Sequence, residues 1–290
     1  MMRRPPPRGF SEQIGALDTL DAPGKAIAKQ VRNVLPAGGG VKDVVSGTWL
    51  GHPLHPLLTD VPIGAWTSAT LLDLVGGRTS RPAARKLIGI GLVAAGPTAL
   101  TGATDWADSE PADDHVRRVG VVHAVANVAA LALYGASFAA RRRGAHAGGV
   151  LLGLAGAGAM LAGTYLGGDL AFARGVGVNE TLFDDEPADW TPVLDASMLV
   201  DGRPMHALAG ARELVIVKRN GTIHALADRC SHRGGRLHEG ELAGDCIACP
   251  LHGTHFRLDD GSVERGPSAY PQPVYEARVN DGRVEVRAAA

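Results

Sequence analysis

The chain has 290 residues, of which 45% are hydrophobic and 4% aromatic, and its formal net charge is −1 at pH 7. This length allows two domains. A near-neutral chain with few aromatic residues offers no basic surface interleaved with stacking rings, so the composition excludes nucleic acid as a partner.

Residues 1–50 read as a mixed, mostly polar tail. The first ten residues contain three arginines and three prolines and are followed by no apolar core, so we expect no cleavable signal. Between Lys25 and Pro36, apolar and basic residues fall on opposite helical faces. This pattern is typical of a helix on an anionic membrane surface, and equally of an amphipathic helix that packs on protein.

Four apolar segments follow the tail, each near the length that a bilayer requires. They are Leu57–Val75, Leu87–Thr104, Val119–Phe138 and Val150–Gly167. A water-soluble bundle would need a charged stripe on every helix, and none of the four segments has one. The sequence therefore predicts an all-α four-helix transmembrane bundle over residues 51–178, with membrane lipid as its partner.

Ionisable residues near these segments separate to the two ends of an up-down bundle. One end is basic and contains Arg78, Arg81, Arg85, Lys86 and Arg141–Arg143. The other end contains His52, His55, Asp60, Asp105, His115, His123 and Asp169. Because ionisable groups inside a bilayer are costly, the second set needs partners or a function. Three interpretations stay open: hydrogen bonding among these groups, a haem or metal site that uses His52, His55 or His123, and a quinone pocket.

Two sequence motifs of this region are distinctive. The stretch Gly51-His52-Pro53-Leu54-His55-Pro56, together with Leu166-Gly167-Gly168-Asp169-Leu170, resembles an uncharacterised family of bacterial four-helix membrane domains. The likeness covers about residues 51–178. It implies an architecture and no particular activity.

Residues 179–189 are acidic and contain Pro187, which predicts a linker to a second domain over residues 190–290. In that domain short β-prone runs alternate with Asn-Gly and Asp-Gly turns. The runs are Pro192–Leu194, Leu214–Lys218, Ile223–Leu226 and Val274–Val279. The pattern predicts a small all-β antiparallel sandwich.

Two short segments of this domain combine one cysteine and one histidine each. They are Cys230-Ser231-His232 and Cys249-Pro250-Leu251-His252, with sixteen residues between them. Two thiolates on one iron and two neutral imidazoles on the other suit a [2Fe-2S] cluster that accepts an electron at the histidine-bound iron, with a potential above that of an all-cysteine cluster. The alternative is a zinc site, but zinc fingers usually place like ligands together.

Residues from Trp190 to about Arg287, including Gly234-Gly235 and Gly266-Pro267, resemble the Rieske family. The resemblance implies one [2Fe-2S] cluster per chain. It also implies that Cys230 and Cys249 bind the inner iron, and that His232 and His252 bind the outer iron with their ring edges toward solvent. Cys246 is then expected to be a packed free thiol. The other histidines, at positions 206, 224, 238 and 255, match no ligand position and are expected to lie at the surface or form hydrogen bonds.

The cluster potential is expected at the low end of the Rieske range, around −150 mV. High-potential members carry a loop disulfide and hydroxyl donors near the cluster. Here Gly235 takes the place of the disulfide cysteine, and Thr254 and Phe256 stand where serine and tyrosine donors would be. Fewer hydrogen bonds to the sulfurs leave the reduced cluster less stabilised.

These features predict a multi-pass cell-membrane protein that transfers single electrons between a reductase and an unknown acceptor. Only 38 residues follow His252, so we expect no oxygenase domain. A second hypothesis is an oxidoreductase component in which a haem or quinone in the bundle exchanges electrons with the cluster, and a third is an oxygen sensor. The positive-inside count does not decide the orientation. Because Cys246 is unpaired and no export signal is seen, we expect the cluster domain to lie in the cytoplasm.

Overall fold

The computed structural model describes residues 9–38 and 40–288, so the predicted signal-free stretch at residues 1–8 lies outside the described residues. Two compact units are present. Among the described residues, the first unit contains residues 9–34 and Leu54–Val176, and the second contains residues 35–38, 40–53 and 177–288. This division differs from the predicted one, because residues 35–53 group with the carboxyl-terminal unit and do not continue the tail.

The helices include one for each apolar segment of the sequence, and each of those four helices begins before its segment. The helices are α1 (Phe10–Gly15), α2 (Asp21–Val34), α3 (Gly40–Ser46), α4 (Leu54–Val75), α5 (Arg81–Ser109), α6 (Asp114–Arg142) and α7 (His146–Gly168). Each of the four predicted segments lies within one of α4–α7. A polar cap explains the extra turn of α6, where the carboxylate of Asp113 accepts a hydrogen bond from the backbone N–H of His115 at 2.7 Å.

Among the described residues of the first unit, three helices are long and apolar enough to cross a membrane. They lie within Arg78–Ser109, Asp114–Arg142 and His146–Ala173, which contain α5, α6 and α7. The fourth predicted span, α4, is not among them and carries Asp60 and Asp73. The core of this unit is built around Trp66 and Tyr134, whose rings stack with centroids 4.3 Å apart.

Helix α2 packs against α5 and α6 through its small residues. Gly24 and Ala28 are buried, and Arg32 donates hydrogen bonds to the carbonyl of Ala107 at 2.5 Å and to Glu110 at 3.1 Å. This is the protein-packing alternative for the amphipathic helix. Its larger apolar residues stay outside the contact, with Ile27 47% exposed.

The second unit is an antiparallel β-sandwich of two sheets. Its strands are β1 (Thr191–Asp195), β2 (Met205–Ala209), β3 (Arg212–Arg219), β4 (Thr222–Ala227), β5 (Glu241–Ala243), β6 (Cys246–Ala248), β7 (His255–Arg257), β8 (Val263–Arg265), β9 (Val274–Asn280) and β10 (Arg283–Ala288). One sheet has the order β1-β10-β9-β4-β3-β2 and the other the order β5-β6-β7-β8. The four predicted runs correspond to β1, β3, β4 and β9. The predicted turn at Asn220-Gly221 has positive φ at both residues, as a tight hairpin turn of this type requires.

Residues 35–38 and 40–53, which precede α4, are part of this β unit. The carboxylate of Asp43 in α3 accepts a hydrogen bond from the backbone N–H of Gly266 at 3.0 Å, and the hydroxyl of Thr48 donates to the carbonyl of Ser268 at 3.1 Å. The neighbouring Lys42 is buried, with 3% of its surface exposed.

Candidate metal centre

Two loops of the sandwich bring the four predicted ligands together. The first loop follows β4 and carries Cys230 and His232, and the second follows β6 and carries Cys249 and His252. Both cysteines are buried, at 0% and 3% exposure, whereas both histidines are partly exposed. The two imidazole rings lie edge to face with centroids 5.0 Å apart.

The two loops share one backbone hydrogen-bonding pattern. In each, the cysteine N–H donates to the carbonyl five residues later, at 2.8 Å, and its carbonyl accepts from the N–H four residues later, at 2.9 Å. That fourth residue is Gly234 in the first loop and Gly253 in the second, and both have positive φ. A side chain is unfavourable in this conformation, so glycine shapes both loops.

The electrostatics of the site differ between its two cysteines, because the hydrogen bond with Cys249 and burial both raise the pKa of Cys230. Backbone N–H groups of His232 and Arg233 donate to the sulfur of Cys230, and those of Leu251 and His252 donate to the sulfur of Cys249. The hydrogen bond from Cys230, with those N–H groups, lowers the pKa of Cys249 to about 7.

Burial lowers the pKa of His232 well below its usual value, and the charges of His252 and Lys42 act in the same direction. A neutral ring is the form that binds a metal.

Buried polar groups hold the first loop in place. The side-chain carbonyl of Gln272 accepts from the backbone N–H of Ser231 at 2.9 Å, and its amide donates to the carbonyls of Ala227 and Arg229 at 2.8 and 2.6 Å. The hydroxyls of Ser231 and Ser268 lie 3.0 Å apart. Sequence reasoning missed Gln272, because a single glutamine twenty residues from the second motif carries no local signal.

The arrangement fits a [2Fe-2S] cluster. The two sulfurs are within hydrogen-bonding reach of each other and the two imidazoles are neighbours, which is the pairing that two unequal iron atoms require. N–H groups aimed at the sulfurs stabilise the added negative charge of a reduced cluster. The two cysteine loops together form a cradle for the cluster. This cradle is tightly packed, since a Cβ at Gly235 would lie 2.9 Å from the sulfur of Cys249.

The structural features behind the predicted low potential are present around the site. All three cysteines are free, and Cys246 is buried, as predicted. Phe256 is fully buried and has no hydroxyl, and the hydroxyl of Thr254 accepts a hydrogen bond from the backbone N–H of Ser268 at 3.1 Å.

A second group of potential ligands consists of His206, Asp228 and His238, whose ligand atoms all lie within 4.8 Å of one another. The ring of His238 already makes a 2.7 Å hydrogen bond to the buried Asp228, and Arg236 lies 3.7 Å from the same carboxylate oxygen. The carboxylate of Asp228 is therefore already hydrogen-bonded to His238 and lies beside the positive charge of Arg236. This contact matches the hydrogen-bonding role predicted for His238.

The rings of His55, His115 and His123 in the helical unit are hydrogen-bonded. Nδ1 of His55 lies 3.0 Å from the carbonyl of Thr98, and Nδ1 of His123 lies 2.8 Å from the carbonyl of Gly163. Elsewhere in the unit, Nε2 of His115 lies 3.3 Å from Asp169. His52 belongs to the other unit, where its Nδ1 lies 3.0 Å from the carbonyl of Pro53.

Comparison with known proteins gives matches to both parts of the chain. The family described as "Rieske [2Fe-2S] domain" matches residues 189–276, and the family described as "Predicted membrane protein (DUF2231)" matches residues 51–180. The predicted fusion of these two parts is therefore confirmed.

The individual relatives named here each match about a third of the chain. The chain is 31% identical over 99 residues to the anthranilate 1,2-dioxygenase ferredoxin subunit of Burkholderia cepacia, a match that covers 34% of this chain and 92% of the relative. It is 34% identical over 98 residues to ferredoxin CarAc of Metapseudomonas resinovorans, covering 33% and 92%. A solved complex of reduced oxygenase and oxidized ferredoxin in carbazole 1,9a-dioxygenase matches with 33% identity and a TM-score of 0.32, covering 34% of this chain and 92% of that chain.

Proposed function

We propose that this chain, which belongs to the Rieske [2Fe-2S] family through residues 189–276, is a membrane-anchored carrier of single electrons. The observation that carries the proposal is the pairing of two buried cysteines with two partly exposed histidines on adjacent loops. The two relatives named above are ferredoxin components, and the chain covers 92% of each. We infer that this chain likewise works between a reductase and an acceptor protein and is not itself an oxygenase.

Four side chains would hold the cluster in this proposal: Cys230, His232, Cys249 and His252. The bound cluster supplies one-electron oxidation and reduction. The protein contributes sulfur ligands that are buried away from water, N–H groups that stabilise negative charge, and two partly exposed histidines that a partner protein can approach. The potential that we propose is about −150 mV.

The test is electron paramagnetic resonance of the dithionite-reduced full chain, with iron and sulfide analysis and a redox titration. We expect two irons and two sulfides per chain, a Rieske-type signal, and a potential below zero. A colourless protein or one zinc per chain would refute the cluster assignment. A potential above zero would refute only the low-potential part.

We further propose that α4 crosses the bilayer with α5, α6 and α7, and that the cluster domain is cytoplasmic. The free-energy cost of placing the carboxylate of Asp73 in the bilayer is reduced, because Asp73 forms an ion pair with Arg141 inside the unit. The buried Cys246 cannot serve as a labelling site, so the test uses engineered cysteines at exposed positions. Impermeant maleimide on intact cells should label R143C and spare S197C if four helices cross and the cluster domain is inside. Labelling of S197C would place the domain outside.

A second candidate function has one specific observation in its favour. Because Nδ1 of His55 and of His123 each faces a backbone carbonyl, Nε2 of each ring carries the lone pair that could bind haem iron. The amide of Asn127 lies 3.1 Å from Nε2 of His123 and would have to move. A Soret band lost in H123A would support this oxidoreductase alternative, and two irons per chain with no other chromophore would support the simple carrier.

A further inference from the structure

An open groove of about 980 Å³ lies between α5 and the end of α6. Its wall is apolar: Ile90 is 52% exposed and Val93 80% exposed, and the ring of Phe138 also lines it. Gly89 keeps it open, since a Cβ there would lie 3.2 Å from Phe138. These residues belong to helices long and apolar enough for a bilayer, so a lipid chain is the natural occupant of the wall.

Three cations stand at one end of the same groove. Arg85, Lys86 and Arg142 line it and are exposed. Within residues 9–38 and 40–288, no acidic side chain forms an ion pair with any of the three. The adjacent Arg141 behaves differently, because it is buried and paired with Asp73. The chain therefore neutralises one cation internally and leaves three directed at the groove.

We propose that this groove binds an anionic phospholipid, with its phosphate at Arg85, Lys86 and Arg142 and one acyl chain along Ile90 and Val93. An apolar wall alone would accept any lipid tail. Cations grouped at the end of that wall select a negatively charged headgroup, since guanidinium and ammonium groups donate charge-assisted hydrogen bonds to phosphate. The inference rests on the membrane location in the proposed function and not on the cluster.

The test is native mass spectrometry of the purified full chain in a neutral detergent, titrated with dioleoyl phosphatidylglycerol or dioleoyl phosphatidylcholine. The groove variant is R85Q/K86Q/R142Q. The matched control, R78Q/R81Q/R143Q, removes three exposed positive charges from the same end of the helices without touching the groove. The groove variant should lose about tenfold or more in affinity for phosphatidylglycerol, and the control less than about twofold.

A second variant tests the acyl-chain contact without a change of charge. G89L fills the groove beside Phe138 and should also weaken phosphatidylglycerol binding. Equal losses in the groove and control variants would overturn the proposal in favour of general surface charge. Equal binding of phosphatidylcholine by the wild type, or displacement of lipid by millimolar inorganic phosphate, would overturn it as well.

Cluster spectra of the same samples keep this proposal separate from the proposed function. An unchanged spectrum shows that the cluster unit of each variant is intact, and an unchanged melting temperature in detergent shows that its helical unit is folded. A wild-type sample that lacks the cluster but still prefers phosphatidylglycerol would refute the electron-carrier proposal and support the lipid site.

Discussion

Replacing Gly235 by alanine tests whether the two cysteine loops form a tight cradle. The new Cβ would lie 2.9 Å from the sulfur of Cys249 and 2.9 Å from Cγ of Leu251, and ordinary contact begins at 3.4 Å. Leu251 is 56% exposed and can move away. Cys249 cannot, because it is 3% exposed and both its N–H and its carbonyl are hydrogen-bonded within the loop. The sulfur must therefore shift by about half an ångström.

Overpacking of this kind costs about 1–3 kcal/mol, or roughly 5- to 150-fold in an equilibrium constant. We expect G235A to retain less iron and sulfide after gel filtration and to lose the visible absorption of the cluster at a lower chelator concentration. Gly40→Ala is the matched control, since it lies in the same unit and its Cβ would meet nothing within 4 Å. Two irons per chain and an unchanged spectrum in G235A would show that the loops can open, and the cradle argument would be wrong.

Three further predictions concern charge. Lys42→Met should lower the cluster potential in a redox titration, because a buried cation stabilises the added electron. A tenfold change in the equilibrium constant for one-electron reduction corresponds to about 60 mV, which we take as the upper limit. Lys42→Arg keeps the charge and should keep the potential of the wild type. Burial raises the pKa of Tyr275 to about 12, so the neutral phenol stabilises the fold below pH 10 and that contribution is lost as the pH rises toward 12. Tyr275→Phe should remove most of this pH dependence of the free energy of unfolding, measured with urea. It should also lower that free energy by about 1–3 kcal/mol at neutral pH, because Arg212 loses the hydroxyl that accepts its hydrogen bond at 2.6 Å. Equal pH profiles of the two proteins would contradict this. Asp73→Asn should destabilise the helical unit by about 3–5 kcal/mol in detergent melting, since it strands the buried charge of Arg141, and an unchanged melting temperature would contradict the pairing.

The sequence predicted the elements with a strong repeating signal. Apolar runs of bilayer length located α4 to α7, and β-prone runs beside Asn-Gly and Asp-Gly turns located β3, β4 and β9. The strands that it missed are mostly three residues long, such as β5 (Glu241–Ala243) and β7 (His255–Arg257). Such strands exist because they pair with neighbours around the second loop, and pairing leaves no local pattern in the chain.

The meeting of the four proposed ligands was predictable, because metal chemistry fixes both the residue types and their spacing. The supporting groups were not. Gln272 reaches the first loop from 41 positions away along the chain, and the N–H groups that face the sulfurs are independent of side-chain identity. Such contacts arise from the path of the folded backbone, and the four-residue motif does not encode that path.

The placement of residues 35–53 changes what counts as the cluster domain. The chain leaves the β unit at Pro53, forms α4 to α7, and returns at Gly177. A fragment that starts at the predicted boundary, residue 190, therefore lacks the contacts that Asp43 and Thr48 make with the loop at Gly266 and Ser268, and it lacks the buried charge of Lys42. If these contacts support the cluster, that fragment should hold its iron less tightly and have a lower potential than the full chain. If both properties are equal in the two proteins, the segment before the first long helix has no part in the electron-transfer site.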